Sequence, residues 1–257
     1  MNKIIDAHIH LDQYKKQDLL QIIENDSSLK GLVAVSWDLN SCKINQEMAA
    51  RHPKVHPAYG YHPEQLLPSD HELADLLSWM ALHTDEMVAV GEVGLPYYFY
   101  RQQTIPVDPY IELLELMILK AKQWDKPLVL HAIYEHAQIV CDLLEKHSVS
   151  KAHFHWFKGD QTTVERMIQN NYYISFTPDV VYEKEIQTLV KAYPVQQIMV
   201  ETDGPWSFKG PFQGKQTHPS MIHQSIEMIA SLKHLPSSEV YAALYKNTVN
   251  FYNLKTN

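Results

Sequence analysis

The 257-residue sequence predicts an α/β fold, a parallel eight-stranded barrel, on three observations. Short β-rich runs alternate with amphipathic segments along the whole chain. Several runs are apolar on both faces, as expected of strands covered by protein on either side. Histidine or carboxylate residues recur where the runs end.

The predicted strands are Ile4 to His10, Gly31 to Trp37, His56 to His62, Met87 to Gly94, Pro127 to Ala132, Ala152 to Phe157, Tyr172 to Thr177 and Gln197 to Thr202. Val88-Ala89-Val90 and Leu128-Val129-Leu130 carry the doubly covered pattern. Helical periodicity fills the gaps at Asp18 to Glu24, Asn40 to Arg51, His71 to His83, Pro109 to Gln123, Glu135 to His147, Thr162 to Asn170 and Glu183 to Tyr193. Two further helices follow at Pro219 to Leu232 and Ser237 to Leu244, with Asn247 to Phe251 as a short closing turn. This alternation describes a TIM-type (β/α)8 barrel with C-terminal helices, and residues 1–257 are expected to form one domain. An open doubly wound sheet would place a glycine-rich loop after the first strand. Here His8-Ile9-His10-Leu11-Asp12 stands in that position.

Composition narrows the class. The chain is 45% hydrophobic and 20% charged, as in ordinary globular proteins. No apolar stretch is long enough for a signal peptide or a membrane span. Cys42 and Cys141 are far apart, so neither a thiolate zinc site nor a disulfide framework is indicated, and a cytoplasmic location is expected. The net charge of −8 argues against coating nucleic acid through a broad basic surface. With Arg51, Arg101 and Arg166 as the only arginines, bidentate phosphate recognition is at most a minor theme.

Barrel enzymes gather their chemistry at the C-terminal ends of the strands. His8 and His10 end the first strand, His62 the third, Glu92 the fourth, His131 the fifth and His155 the sixth, while Asp203 follows the eighth. On a strand, residues i and i+2 share a face, so His8 and His10 are able to address one ion. Imidazole nitrogens with carboxylate oxygens suit zinc, manganese or magnesium. The set exceeds what one tetrahedral ion requires, so two divalent metal ions are expected, bridged by Glu92. Such a centre activates water for hydrolysis. Asp203 is the candidate to ligate one ion and take the proton, with a turn cap before Gly204-Pro205 as its competing role. Glu201 is expected to make a supporting hydrogen bond, and His153 to be either a supporting residue inside the barrel or a packed core histidine.

At this point the residues resemble the TatD-related metal-dependent deoxyribonucleases of the wider amidohydrolase-like group. The matching segments are Ile5-Asp6-Ala7-His8-Ile9-His10-Leu11-Asp12, Tyr59-Gly60-Tyr61-His62-Pro63, Val90-Gly91-Glu92-Val93-Gly94-Leu95, Pro127-Leu128-Val129-Leu130-His131, His155-Trp156-Phe157-Lys158-Gly159, Glu201-Thr202-Asp203-Gly204-Pro205 and Asn247-Thr248-Val249-Asn250-Phe251. The resemblance implies that His8, His10, Glu92 and Asp203 bind one metal and Glu92, His131 and His155 the other. His62 would approach substrate phosphate or an additional ion. The implied activity is hydrolysis of phosphodiester bonds in DNA, often from an end.

Around this shell the chain departs from the family. Pro96 replaces an acidic residue, Ala132 and Ile133 replace a serine and an arginine, and Trp156 and Lys158 replace a cysteine and a serine. Retained metal residues with an altered surround imply a shifted or narrowed substrate. Tyr97, Tyr98, Trp156, Trp206, Phe208 and Phe212, beside Arg101, Lys158, Lys209 and Lys215, either stack single-stranded bases and hold phosphates or pack the loops. The substrate-binding candidates are therefore His62, Arg101, Lys158 and Trp206, and the expected partner is DNA or a small phosphodiester, with no membrane and no obligate protein partner. Hydrolysis of a small amide or lactone in the same barrel is the second reading, and noncatalytic metal binding the third.

Overall fold

Strands recur along the chain and pair in sequence order, each parallel to the next. The computed structural model describes residues 2–103 and 105–255. The strands are β1 (Ile4–Ile9), β2 (Leu29–Ala34), β3 (Val55–Tyr59), β4 (Ala89–Gly94), β5 (Leu128–His131), β6 (Ala152–Phe154), β7 (Tyr173–Phe176) and β8 (Ile198–Val200). Parallel ladders join β1 through β8 consecutively. The seam between the last strand and the first is drawn together by loop and side-chain bonds. Asp203 N–H donates to the His8 carbonyl at 3.0 Å, and His10 N–H to the Gly204 carbonyl at 2.8 Å. Below them the buried Asp6 carboxylate accepts from the Thr202 backbone N–H at 2.9 Å and from the Thr202 hydroxyl. The result is a nearly closed barrel whose seam fixes His8, His10 and Asp203 side by side.

Helices α1 (Leu19–Glu24), α2 (Leu39–Arg51), α3 (Asp70–Leu82), α4 (Tyr97–Gln103), α5 (Asp108–Gln123), α6 (Glu135–Lys146), α7 (Gln161–Gln169) and α8 (Lys184–Ala192) lie between the strands, followed by α9 (Ile222–Lys233) and α10 (Ser237–Tyr252). Local chemistry sets several starts. Asp38 accepts from Ser41 N–H at α2, Ser69 and Glu72 form a reciprocal capping box at α3, and Asp160 accepts from Thr163 N–H at α7. Helix α5 buries Tyr110, Leu114, Met117, Ile118 and Ala121, a stripe of helical period turned to the sheet. Inside the barrel, Ile5, Ala7, Val33, Ala58, Ala89, Val129 and Met199 come from six strands and pack together with Val35 just beyond β2, with Tyr252 and Leu254 against them.

The strands near Glu92 approach closely. A Cβ on Gly94 would lie 2.0 Å from the His131 carbonyl oxygen, and one on Gly60 would lie 2.7 Å from the Glu92 carbonyl oxygen. Only glycine permits those spacings. Two peptide bonds are cis, Gly91–Glu92 and Gly204–Pro205.

Three features differ from the sequence reading. Most strands end before their predicted C-termini, so His10, His62 and His155 stand on the loops just beyond them, as Asp203 was expected to. Helix α4 was not anticipated. Residues 237–252 form one helix with no separate closing turn at Asn247 to Phe251: Asn247 stays helical and donates to the Val195 and Ile198 carbonyls at 2.8 and 2.7 Å. No helix among the described residues is long and apolar enough to cross a membrane.

Candidate metal centre

Seven strand-end residues from six parts of the chain converge on one buried point. His8, His10, His62, Glu92, His131, His155 and Asp203 are each less than a tenth exposed. Glu92 lies at the middle, with its two oxygens serving different neighbours. Oε2 lies 3.1 Å from His8 Nε2, 3.3 Å from His10 Nε2 and 3.4 Å from His62 Nε2. Oε1 lies 2.7 Å from His155 Nε2 and 2.9 Å from His131 Nδ1. Asp203 Oδ1 faces the first set, 3.3 Å from His8 Nε2 and 3.4 Å from His10 Nε2.

These donor atoms fit a cation better than they fit one another. His8 Nε2, Glu92 Oε2 and Asp203 Oδ1 are buried without a hydrogen-bond partner, although they are neighbours. Uncompensated polar atoms at that depth are costly, and a shared ion would satisfy them together. Ligand atoms of His8, His10 and Glu92 lie within 4.8 Å of one another, as do those of His62, Glu92 and His131, and those of His8, His155 and Glu201.

The sequence and the fold match known proteins over almost the whole chain. The family described as TatD related DNase matches residues 5–253. The chain belongs to the TatD-related DNase family. An uncharacterized metal-dependent hydrolase of Haemophilus influenzae is 38% identical over 253 residues, which are 98% of this chain and all of that protein. The uncharacterized metal-dependent hydrolase YabD of Bacillus subtilis is 27% identical, covering 96% of this chain and 97% of its own. Among solved structures, the TatD homologue YjjV of Escherichia coli superposes with a TM-score of 0.89 at 23% identity, over 99% of this chain and all of that one. The dihydroorotase of Campylobacter jejuni shares the fold at a TM-score of 0.64 and 13% identity, over 99% of this chain and 84% of that one. This TatD-family chain is therefore a metal-dependent hydrolase, and its buried histidine and glutamate groups are able to bind metal.

Protonation of the site residues follows from the same geometry. Burial alone would raise the Glu92 carboxyl, but His155, His62 and His8 outweigh it and hold it well below the usual carboxylate range. Burial likewise opposes the Asp203 anion, and His10 and His8 reverse the effect, so its pKa is lowered. Burial also disfavours protonated His10, yet the Asp203 and Glu92 carboxylates lift it to about 10. His131 and His155 are raised against burial too, by Glu64 and Glu92 and by Glu92 and Glu201 respectively. His62 goes the other way, pushed by burial to about 4 against the pull of Glu92. The site thus holds positive charge as protons where a cation would supply it.

Supporting residues surround this TatD-family centre. Glu201 accepts from Trp156 N–H at 2.7 Å and from the Ser175 hydroxyl at 2.6 Å. Ser175 meets His153 Nε2 at 2.5 Å, and His153 Nδ1 meets the Tyr252 hydroxyl at 2.6 Å. Glu64 was not singled out in the sequence. Its carboxylate faces His131 Nε2 at 3.0 Å and accepts from Tyr98 and Phe99 N–H at 2.9 and 2.6 Å, fixing the start of α4. The available signal was an acid two residues beyond His62. Asp203 and Trp156 adopt positive φ, 47° and 38°, at the turns that leave β8 and β6.

Of the substrate-binding candidates, His62 and Trp206 line the cleft above Glu92, a space of about 90 Å³. Arg101 does not line it; its guanidinium lies over the Tyr97 ring at 4.6 Å and 3.7 Å from Glu135. Lys158 rests over the Trp156 ring at 5.3 Å and is likewise absent from the lining. Phe208 and Phe212 are buried with Met221 and pack the loops.

Proposed function

We propose that the chain hydrolyses phosphodiester bonds of DNA, working from an end, with two divalent cations. His8, His10, Glu92 and Asp203 would hold one, and Glu92, His131 and His155 the other. The observation that carries the reading is the division of labour at Glu92, one oxygen toward each set of imidazoles. Bound there, two cations supply an acidified water and neutralise charge on the phosphoryl group. Asp203 is the proton acceptor: Oδ1 is turned to His8 and His10, and the other oxygen makes no hydrogen bond among the described residues. His62, held neutral by burial and stacked on Trp37 at 3.8 Å, borders the cleft where the phosphate would sit. Family membership supports the reaction class.

Metal analysis of the purified protein, followed by assay of defined single- and double-stranded oligonucleotides with zinc, manganese or magnesium restored, tests this. Cleavage that depends on the restored ion is expected. Intact oligonucleotides and intact bis-aryl phosphates with every ion would overturn it. A second reading, hydrolysis of an uncharged cyclic amide or lactone, draws support from a cleft lining without lysine or arginine among the described residues. A panel of lactones and cyclic amides run beside the phosphodiesters separates the two.

A further inference from the structure

The cleft above Glu92 opens into a wider mouth of about 520 Å³, bordered by Trp37, Tyr98, Phe99, Trp156 and Trp206 together with Glu64 and Gln102. Five of these seven side chains are aromatic. Two are left about half or more in water, Trp206 at 61% and Tyr98 at 47% exposure, which forfeits part of the burial such large rings ordinarily gain. Neither ring is on a loosely held segment. Trp206 N–H donates to the Asp203 carbonyl at 3.2 Å, and the Trp206 carbonyl accepts from the Thr217 hydroxyl, so the indole is carried three residues from Asp203 on a bonded turn. Tyr98 is fixed through its own N–H to Glu64 at 2.9 Å.

The mouth also has a charge character. Among the described residues, neither cleft nor mouth is lined by lysine or arginine. Two cations on the flanking loops are engaged: Arg101 with Tyr97 and Glu135, Lys158 with the Trp156 ring. Glu64 adds a carboxylate to the lining, accepting from the Tyr98 and Phe99 N–H groups. A groove that follows a nucleic-acid backbone needs cations for successive phosphates, whereas stacking needs only a ring face, which every base has.

We infer that this mouth is a stacking site for the base of one terminal nucleotide, with Trp206 and Tyr98 as its specificity-determining residues, and that the preferred substrate is a short unpaired end, down to a dinucleotide. The inference rests on the phosphodiester reading for the reaction and on the mouth alone for the base. Only the phosphate at Glu92 is contacted electrostatically, and the rest of the strand trails into solvent.

The test compares wild type, Trp206→Ala and Trp206→Phe on a dinucleotide, its abasic analogue and a single strand of about 20 nucleotides, over a range of KCl concentrations. The dinucleotide is expected within about 10-fold of the longer strand in kcat/KM. The salt slope on the longer strand should be about −1 or shallower, where a groove contacting several phosphates gives a steeper one. Trp206→Ala should raise KM for the dinucleotide roughly 10-fold more than for the abasic analogue, with Trp206→Phe recovering most of the difference. Equal effects on both substrates, or a steep slope with strong preference for the longer strand, would overturn the inference. Quenching of indole fluorescence by adenosine monophosphate is the readout that does not need turnover. If nothing is cleaved but quenching occurs in wild type and is lost in Trp206→Ala, the stacking site stands and the phosphodiester reading falls. Without cleavage, absence of quenching at millimolar nucleotide overturns the stacking site too.

Discussion

The Glu64 carboxylate faces His131 Nε2 at 3.0 Å while the opposite ring nitrogen of His131 lies 2.9 Å from Glu92. An imidazole held at both nitrogens has one orientation. A carboxylate behind a metal-binding histidine fixes its tautomer and strengthens its donor nitrogen, and losing such a partner typically costs ~10–100-fold in metal affinity. Glu64→Gln is therefore expected to weaken metal binding by about 10- to 100-fold in competition with a chelator. Because Glu64 also accepts from Tyr98 and Phe99 N–H, those two amides should exchange with deuterium faster in the variant. Unchanged affinity together with unchanged exchange would show that Glu64 orients neither.

Glu92 faces every imidazole of the site, so its charge matters more than its shape. Glu92→Gln preserves volume and removes the anion. Metal content and hydrolysis should each fall by more than about 100-fold, beyond the range seen for outer partners, with the circular dichroism of the barrel unchanged. Retention of full metal content would remove Glu92 from the centre.

Much of this was legible in the sequence for identifiable reasons. Strands such as Leu128-Val129-Leu130 are covered on both faces and read as apolar runs, and the site residues close those runs. Helix α4 was not legible. Tyr97–Gln103 follows a proline, is too short to show an amphipathic period, and is held at its start by Glu64, which lies more than thirty residues earlier. Glu64 itself reads as an ordinary loop acid until the fold brings it to His131. Arg101 and Lys158 illustrate the converse: both stand near the right strand ends, and their partners, Tyr97, Glu135 and Trp156, turn them from the cleft.

The raised imidazoles set a pH dependence for the metal-free protein. His10 rises from 6.5 to about 10 in the folded state, so the stability it contributes is fully present below pH 6.5 and is lost as pH climbs toward 10. His131 and His155 are shifted in the same direction, and the buried Cys42 and Cys141 thiols, pushed by burial to about 12, act with the same sign above pH 9. His62 has the opposite sign, but its change is complete by pH 6.5. Thermal melts of the chelated protein should lose on the order of a few kcal/mol between pH 6.5 and 10, since the imidazoles share one carboxylate and their losses do not add. With metal restored only the loss above pH 9 that the thiols contribute should remain, because cations replace the imidazole protons. A chelated protein that gains stability over this range would contradict the assigned protonation.

Beneath the centre, Tyr252, His153, Ser175 and Glu201 form a buried chain whose direction is fixed by donor counting. Ser175 donates its hydroxyl hydrogen to Glu201, so His153 Nε2 must donate to Ser175, and His153 Nδ1 is left to accept from Tyr252. Burial pushes His153 well below its ordinary value and keeps it neutral, as that direction requires. Tyr252→Phe strands one acceptor, His153 Nδ1, and should cost about 1–3 kcal/mol in urea unfolding. Ser175→Ala strands both the His153 Nε2–H donor and a Glu201 oxygen, so its cost should be larger. It also frees the carboxylate that holds Trp156 N–H beside His155, so hydrolysis should fall further in Ser175→Ala than in Tyr252→Phe. Joined through one network, the two substitutions should be less than additive in the double variant. Full additivity, or a Tyr252→Phe cost exceeding that of Ser175→Ala, would mean that the four side chains do not act as one chain.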